Sequence, residues 1–254
     1  MIYLTGFHAI EERIKSAASG GLPCGPLLAA KAGPRARELV SLAVSSKIRV
    51  DRVGTFELGR LAPDNRGVAL QVEELSPAGP AASLDEFLAG LEGGGDRAGG
   101  ALALILDEIT DPHNYGAILR CCDQFGVDIV LSRNRRNAKH AEIISKTSAG
   151  TVSWVPQAET ANLVRAAELL KEAGFWIYGA DTHGEPVYGK DLTGRVALVL
   201  GGEGSGISRL LRESCDALVG IPSTGKIDSL NVSVAAGVLL YEVRRQRAGT
   251  PKKK

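Results

Sequence analysis

The strongest constraint on the fold is a regular alternation of short apolar runs and helical stretches after residue 100. The apolar runs are almost uninterrupted, as is typical of strands that are buried on both faces of a parallel sheet. The stretches between them are long enough for the helices that connect parallel strands. This part of the chain is therefore predicted to have an α/β fold, a parallel sheet with helices on both faces. The predicted strands are 101–106, 128–132, 152–155, 175–180, 196–200 and 217–221, and the predicted helices are 114–125, 140–149, 160–173, 208–214 and 229–247.

The chain before residue 100 is less regular and is predicted to begin with a separate small α/β domain, residues 1–75. Its predicted helices are 8–18 and 34–45, and its predicted strands are 47–53 and 67–72. Residues 76–100 are rich in glycine, proline and alanine and are predicted to link this domain to a second one, residues 101–254. Inside the linker, Ser83 and Glu86 have the spacing of a capping box before a short amphipathic helix, and residues 93–100 are predicted to be flexible.

The composition excludes several classes of protein. The chain has 254 residues, of which 44% are hydrophobic and 23% charged, and its net charge of +1 creates no strong overall field. None of the four cysteines belongs to a Cys-x-x-Cys pair, so we expect neither a metal site nor a disulfide framework. No signal peptide and no apolar run of membrane-spanning length is found, which predicts a cytoplasmic protein without a membrane partner.

A local basic run directly follows the predicted strand 128–132. It consists of Arg133, Arg135, Arg136 and Lys139. Phosphate contacts and a solvated loop explain this run equally well. The terminal lysines 252–254 are interpreted as a solvated tail.

Three polar loops that contain glycine follow predicted strands, at residues 107–116, 201–207 and 222–229. Ligands of parallel sheets lie beyond the carboxyl ends of the strands, so these loops are the candidate site. In the first loop, Asn114 is predicted to be the N-cap of a helix, and Arg120 lies well inside that helix. Taken alone, these residues would be an ordinary cap and an ordinary surface arginine.

The second loop is dense in glycine, which lets the backbone approach a ligand closely. Its glycines at 202, 204 and 206 are spaced Gly-x-Gly-x-Gly, whereas a dinucleotide fingerprint requires Gly-x-Gly-x-x-Gly. Glu203 would also repel a pyrophosphate. A nicotinamide-dependent enzyme is therefore disfavoured.

The third loop leads into a predicted helix with polar residues at its start. Ser229 and Asn231 are expected in the first turn, where unpaired N–H groups and partial positive charge favour a ligand or a developing anion. The apolar positions that follow have helical spacing and are Val232, Ala235, Ala236, Leu239, Leu240 and Val243. Gly220 to Lys226 matches Gly-x-x-x-x-Gly-Lys, but Ile227 stands where a phosphate-binding loop needs Ser or Thr, which excludes nucleotide hydrolysis.

In this order, the three segments resemble the SpoU (TrmH-type) family of RNA ribose 2′-O-methyltransferases, within the SPOUT class. The matching residues are Asp111-Pro-His-Asn114 with Arg120, then Gly201-Gly-Glu203-Gly-x-Gly-Ile207, then Ile221-Pro222, Gly225 and Ser229-Leu-Asn-Val-Ser-Val-Ala235. The resemblance covers residues 101–247.

The first domain resembles the family's small substrate-binding domain, which is similar to ribosomal protein L30e. The resemblance rests on Gly6-Phe-His-Ala9 and Asn65-Arg-Gly-Val68. Family members often have His-Gln-Gly where Asn65-Arg66-Gly67 stands, so the chain departs from the family's pattern at this RNA-contacting loop.

The resemblance implies a C-terminal trefoil knot that binds S-adenosylmethionine, an RNA substrate and a homodimer. The implied cofactor residues are Leu200, Gly201, Gly202, Ile221, Pro222, Ser229 and Leu230. The implied catalytic residues are Arg120, Asn114, Glu203, Ser229 and Asn231. The implied RNA contacts are Arg66, Arg133, Arg135 and Arg136. Because a guanidinium stays protonated, Arg120 is expected to hold phosphate or stabilise a developing oxygen anion.

The two-domain layout is most similar to family members that methylate a guanosine of 23S ribosomal RNA. A transfer RNA methyltransferase and a resistance-type ribosomal RNA methyltransferase are alternatives within the family. A non-catalytic RNA-binding protein of the same fold is a further alternative, although all five polar site positions are present.

Overall fold

The computed structural model describes residues 2–19, 24–30, 33–72, 83–92, 99–133, 143–144, 147–148, 151–226 and 229–248. The chain forms two compact units, Met1–Pro77 with Ala149–Ser153, and Ala78–Ser148 with Trp154–Lys254. Arg135, Arg136, Lys139, Ile227, the terminal lysines, most of the predicted linker 93–100 and most of the predicted helix 140–149 lie outside the described residues. No helix within the described ranges has the length and apolar character needed to cross a bilayer.

The first unit is a four-stranded sheet with helices on both faces. Its elements are β1 (Ile2–Leu4), α1 (Phe7–Ala18), β2 (Leu27–Ala29), α2 (Pro34–Ser45), β3 (Val50–Arg52), α3 (Thr55–Leu61) and β4 (Val68–Val72). The strand order is β1-β4-β2-β3, in which β4 is antiparallel to both neighbours and β2 is parallel to β3. The helix predicted at 34–45 is confirmed, whereas β1, β2 and α3 had no counterpart in the sequence analysis.

The two faces of this sheet are covered unequally. Residues of α1 and α2, including Ile10, Ile14 and Leu39, pack with alternate strand residues into one core. The other face is covered by the short helix α3, whose Leu58 is fully buried in a smaller cluster. The segment of α3 is therefore anchored by few side chains.

The second unit is built on a six-stranded sheet. Its elements are α4 (Leu84–Glu92), β5 (Leu102–Asp107), α5 (Pro112–Phe125), β6 (Ile129–Ser132), β7 (Gln157–Glu159), α6 (Leu163–Glu172), β8 (Trp176–Pro186), a 3-10 turn (Val187–Gly189), β9 (Val196–Gly201), α7 (Arg209–Glu213), β10 (Ala217–Gly220) and α8 (Val232–Ala248). The strand order is β10-β8-β9-β5-β6-β7, and every pairing is parallel. The predicted parallel α/β sheet is confirmed.

Helices cover both faces of this sheet. Ala103 and Ile105 of β5 belong to a core with α4, α6 and α7, while their neighbours Leu104 and Leu106 point to the opposite face. On that opposite face α5 and α8 pack against each other, and α8 also contacts β9. The helix α4 begins with the predicted capping box, because Glu86 N–H donates to Ser83 Oγ and Ser83 N–H to Glu86 Oε2.

The helices α5 and α8 run in the same direction, so their N-terminal ends meet. Asn114 and Asn231 are hydrogen-bonded at the start of the pair. Farther along, the rings of Phe125 and Tyr241 make an edge contact with centroids 6.2 Å apart. This parallel arrangement brings the two helix starts to the carboxyl edge of the sheet.

One predicted strand is wrong. The run 152–155 begins in a 3-10 turn, Thr151–Ser153, and the strand β7 follows at Gln157–Glu159. The apolar side chains Val152 and Val155 are buried as expected, but without strand pairing. The strand β7 is polar and only three residues long. It is identified by its pairing with β6, because it has no apolar pattern of its own.

Candidate active site

The carboxyl ends of β8, β9 and β10 surround a cavity of about 860 Å³. Its walls come from residues within 180–186, 200–206, 219–223 and 229–239, which include the approach to α8 and its first turns. This volume lies within the range of small-molecule sites, and the place is the one where parallel sheets bind ligands.

Glycine is required where the wall segments touch. A Cβ on Gly201 would lie 2.0 Å from the carbonyl carbon of Gly206, because the loop after β9 folds back on its own start. A Cβ on Gly184 would lie 2.5 Å from the carbonyl carbon of Val219, where the end of β8 lies against β10. Main chain therefore approaches main chain closely in this wall, and a larger residue at either position would push the wall segments apart.

Three polar side chains meet at the rim of the cavity. The Nδ2 group of Asn114 donates to Glu203 Oε1 at 2.6 Å. The Nδ2 group of Asn231 donates to the same carboxylate oxygen at 3.1 Å and to Asn114 Oδ1 at 3.0 Å. The first turn of α5, the loop after β9 and the start of α8 are thus tied together by one hydrogen-bonded cluster.

The local sequence explains why these groups meet, and it corrects two predictions. The N-cap of α5 is Asp111, which accepts the His113 N–H at 3.1 Å and is followed by Pro112 at the first helical position. Asn114 is therefore a buried residue of the first turn and not the N-cap. A proline just inside a helix was the sequence signal for the true cap.

The second correction concerns α8, which begins at Val232, so that Ser229 and Asn231 precede the helix. Asn231 Oδ1 accepts the Ser233 N–H at 2.9 Å, the hydrogen bond of an N-cap. Asn231 therefore caps α8 with its oxygen and binds the cluster with its nitrogen. The Glu203 carboxylate lies beside the starts of two parallel helices, whose partial positive charge favours an anion there.

Arg120 is not part of this cluster within one chain. It lies six residues beyond Asn114, about 9 Å along the helix and roughly 120° around it. The side chain is exposed and forms no hydrogen bond or ion pair with any residue that the structure describes. Of the five predicted catalytic residues, the structure joins Asn114, Glu203 and Asn231; Ser229 lies on the cavity wall.

All seven residues predicted to contact a cofactor line the cavity. They are Leu200, Gly201, Gly202, Ile221, Pro222, Ser229 and Leu230. Of the predicted RNA contacts, Arg133 is exposed directly after β6, and the guanidinium of Arg66 lies 5.7 Å from the ring centroid of Phe7.

Two acidic residues near the cavity were missed by the sequence analysis. Asp181 lines the wall, and its carboxylate pairs with the Arg212 guanidinium. Burial opposes ionisation of Asp181, but the His183 N–H and Arg212 outweigh it and hold the pKa below its usual value. The polar, glycine-containing stretch after the apolar run 175–180 could have pointed to this segment.

The other missed residue is Asp107, the last residue of β5. Its side chain is fully buried, and Oδ2 accepts the Ser208 N–H at 2.8 Å. In the sheet it pairs with Gly201, so it connects the central strand to both ends of the glycine-rich loop. A carboxylate that ends an uninterrupted apolar run was the available signal.

Tyr115 anchors the start of α5 to the sheet. Burial raises the pKa of Tyr115 to about 12, and its hydroxyl donates to Gln157 Oε1 at 3.1 Å. Burial also raises the pKa of the Cys121 and Cys122 thiols. All three groups are neutral near pH 7, so none of them serves as a base or nucleophile beside the cluster.

With this geometry in place, comparison with known proteins identifies the class. Residues 101–241 match the SpoU rRNA Methylase family. The chain belongs to this family.

Individual relatives extend the match over almost the whole chain. The 23S rRNA (guanosine-2′-O-)-methyltransferase RlmB of Ralstonia nicotianae is 37% identical over 98% of this chain and 98% of its own length. The RlmB of Xanthomonas campestris is 43% identical over 85% of each chain. Among solved structures, the SpoU methyltransferase AviRb from Streptomyces viridochromogenes in complex with the cofactor AdoMet has a TM-score of 0.71. It is 26% identical, and the match covers 98% of this chain and 91% of AviRb.

Proposed function

We propose that this protein transfers a methyl group from S-adenosylmethionine to the 2′-hydroxyl of a guanosine ribose in 23S ribosomal RNA. The observation that carries the proposal is the cluster of Asn114, Glu203 and Asn231 at the rim of the cavity at the carboxyl ends of β8, β9 and β10. The relatives named for RlmB activity support this substrate, and the AdoMet complex of AviRb supports the cofactor.

The cavity fits this cofactor in size and in chemistry. Its volume of about 860 Å³ accommodates a nucleoside joined to an amino acid. Gly201 and Ile221 belong to its wall, and Leu239 and Val219 contribute apolar surface. When bound, the cofactor supplies a methyl group on a sulfonium, which is already a good leaving group.

The chain's own residues then have to orient the ribose and handle one proton. The two asparagines fix Glu203 through Oε1, which leaves Glu203 Oε2 without a hydrogen bond to any described residue. That oxygen is suited to accept a hydrogen bond from a ribose hydroxyl, and Ser229 lies on the same wall. Because these positions are set before the substrate arrives, they cost little reorganisation during the reaction.

Arg120 is assigned to the substrate phosphate and to the oxygen anion that develops at the 2′ position. A guanidinium remains protonated in proteins, so it is unsuited to remove the proton itself. The substrate phosphate or water takes that proton. The side chain of Arg120 is exposed and has no partner among the described residues, which matches a residue that finds its partner only in the complex.

A homodimer completes this assignment. One side of α8 exposes an apolar stripe, Val234, Val238 and Tyr241, which continues to Leu230 before the helix. The spacing of four, four and three residues places these side chains on one helix face. A second copy that covers the stripe would bring Arg120 of one chain toward the cavity of the other.

The finer features of the fold follow the same assignment. We infer a C-terminal trefoil knot, supported by the match of residues 101–241 to the SpoU family. The first domain, residues 1–75, is assigned as the L30e-like RNA-binding domain with Arg66 as a contact, residues 76–100 as its linker, and residues 101–254 as the methyltransferase domain. From the proposed ribosomal RNA substrate we infer a cytoplasmic location.

The test is methyl transfer by the full chain from labelled S-adenosylmethionine to separate, unmodified 23S, 16S and transfer RNA. The expected result is label in 23S RNA alone, at a guanosine that is then resistant to alkaline cleavage. Label in transfer RNA would replace the substrate. Tight RNA binding without transfer to any RNA would replace the enzyme by a non-catalytic RNA-binding protein.

A further inference from the structure

The carboxyl end of β5 contacts both limbs of the glycine-rich loop 201–207. Asp107 pairs with Gly201 in the sheet, and its Oδ2 accepts the Ser208 N–H at 2.8 Å. The carbonyl oxygen of Glu108 lies so close to Gly202 that a Cβ there would be 2.7 Å from it. Two consecutive residues of β5 and its end therefore hold the start of the loop and its return. We call Asp107 and Glu108 the β5 corner.

Both residues of the β5 corner carry an energetic cost. Asp107 is fully buried, yet its Oδ1 has no hydrogen-bond partner among the residues that the structure describes. Glu108 has a φ of 59°, in the left-handed region that favours glycine, and within the described ranges Lys47 is the only other non-glycine residue there. Costs of these two kinds concentrate at functional sites, where the surrounding structure enforces them. The β5 corner is therefore a candidate for a role beyond packing.

The loop that the β5 corner holds has little packing of its own. Residues 203–206 are exposed, and the loop is closed by the Gly206 N–H, which donates to the Gly202 carbonyl oxygen at 2.9 Å. Glu203 directly follows Gly202, at the point where the loop leaves the corner. Its position in the hydrogen-bonded cluster therefore depends on how firmly the two limbs of the loop are held.

We propose that Asp107 is a positioning residue: by holding both limbs of the glycine-rich loop, it places the Glu203 carboxylate in its cluster with the two asparagines. This inference rests on the proposed function, in which Glu203 orients the ribose. A misplacement of about 1 Å can cost roughly 10²-fold in rate, so a loop that carries such a group needs fixed ends. Asp107 itself does not line the cavity and acts only through the loop.

The same strand offers a matched control at its other end. The Oδ2 atom of Asp128 accepts the Leu102 N–H at 2.8 Å. Leu102 begins β5 and Asp107 ends it, so the two carboxylates make the same kind of bond to main chain at opposite edges of the sheet. Asp107→Ala and Asp128→Ala should both lower thermal stability, but only Asp107→Ala releases the loop.

The direct test uses the side-chain amide NMR signals of isotope-labelled asparagine in the full chain, assigned by substitution. Asp107→Ala should shift the signals of Asn114 and Asn231, because both amides donate to Glu203. The signal of Asn162, which caps α6, should stay where it is. Asp128→Ala should leave all three signals unchanged. This readout needs neither the cofactor nor RNA.

The kinetic test asks whether Asp107 acts through Glu203. Asp107→Ala is expected to lower kcat for methyl transfer by about 10²-fold, and Asp128→Ala should leave kcat near that of the wild type. In a Glu203→Gln background, Asp107→Ala should lower the residual kcat by less than about threefold, because residues that act through one another are not additive.

Asp107→Asn separates the bond from the charge. It retains an oxygen for the Ser208 N–H but loses the charge that strengthens this bond. We expect smaller shifts of the same two asparagine signals and recovery of part of the rate.

Wild-type signals of Asn114 and Asn231 in a folded Asp107→Ala would overturn the inference, as would equal losses of kcat in Asp107→Ala and Asp128→Ala. If circular dichroism showed Asp107→Ala to be unfolded, wild-type signals in Asp107→Asn would overturn it equally. Shifted signals in a protein whose wild type transfers no methyl group would uphold the control of Asp107 over the cluster and reject the proposed function alone.

Discussion

The hydrogen-bonded cluster at the cavity rim and Arg120, farther along α5, differ in how their polar groups are held. Asn114, Glu203 and Asn231 bond to one another, and Asn231 also caps a helix. Arg120 is exposed and forms no hydrogen bond or ion pair with any residue that the structure describes. Groups that must hold a reacting atom are fixed in advance by neighbours, since a small misplacement is costly in rate. Groups that collect a flexible polyanion gain from remaining solvated until counterions are released.

Arg120 is assigned to the same reaction as the cluster, yet no hydrogen bond or ion pair to a described residue holds its side chain in place. The comparison therefore predicts that Arg120 is ordered by something outside its own chain, and substitutions of Arg120 are the strongest test of it.

Replacing Arg120 should have the largest effect. Arg120→Ala is expected to lower kcat by about 10³-fold, because one charged donor to a developing anion is lost. The affinity for S-adenosylmethionine should change little, since Arg120 does not line the cavity. Arg120→Lys should recover only part of the rate, because an ammonium cannot make the forked contact of a guanidinium. A rise in KM for RNA at normal kcat would limit Arg120 to binding.

A mixed dimer distinguishes action within a chain from action across the dimer. Arg120→Ala and Asn231→Ala chains, each inactive alone, should together regain about a quarter of wild-type activity, since half the dimers are mixed and one of their two sites is intact. No recovery in a purified mixed dimer would assign Arg120 to its own chain.

The next effect concerns Asn231, where capping and clustering can be separated. Asn231→Ser retains an oxygen that caps α8 but loses the amide donors to Asn114 and Glu203. We expect kcat to fall by about 10²-fold, with thermal stability close to that of the wild type. Asn231→Ala should add a loss of about 1 kcal/mol in the free energy of unfolding. If turnover of the serine variant were normal, Asn231 would be a helix cap alone.

The sequence could predict those elements whose own residue pattern determines them, and not those that depend on distant partners. The strands β5 and β9 were located to within a residue because both faces are buried and the apolar runs are continuous. The three-residue strands β1 and β2 and the polar β7 are defined by their hydrogen-bonded partners, so no pattern of their own announces them.

The site residues also divide into those that the sequence could predict and those that depend on distant parts of the chain. The cavity-lining glycines were predictable because a glycine-dense loop after a buried strand lets main chain approach a ligand closely. The pairing of Asp181 with Arg212 depends on how the end of β8 passes α7, thirty-one positions apart in sequence. Nor could local spacing reveal that Asn231 bonds both as a cap and as a cluster donor, because its partner Glu203 comes from another loop.

The smallest effect is expected at Asp181. It lines the cavity wall and its carboxylate pairs with Arg212, whose side chain is about half exposed. Its pKa is lowered, so the charged pair with Arg212 contributes stability above the ordinary Asp pKa of 3.8, and this contribution is lost as pH falls through the lowered pKa. Because Arg212 is 42% exposed, the pair is screened, and Asp181→Asn should lower the melting temperature at pH 7 by only about 2 °C.

The pH dependence of thermal stability tests whether the charge of Asp181 stabilises the cavity wall. Melting curves of the wild type and of Asp181→Asn should converge as the pH falls below 3.8, since protonation removes the charge that the substitution removes. Glu213→Gln, which breaks the exposed pair with Arg209, is the matched control and should cost still less. A difference between wild type and Asp181→Asn that persisted undiminished in acid would mean that the charge of Asp181 is not what stabilises this wall.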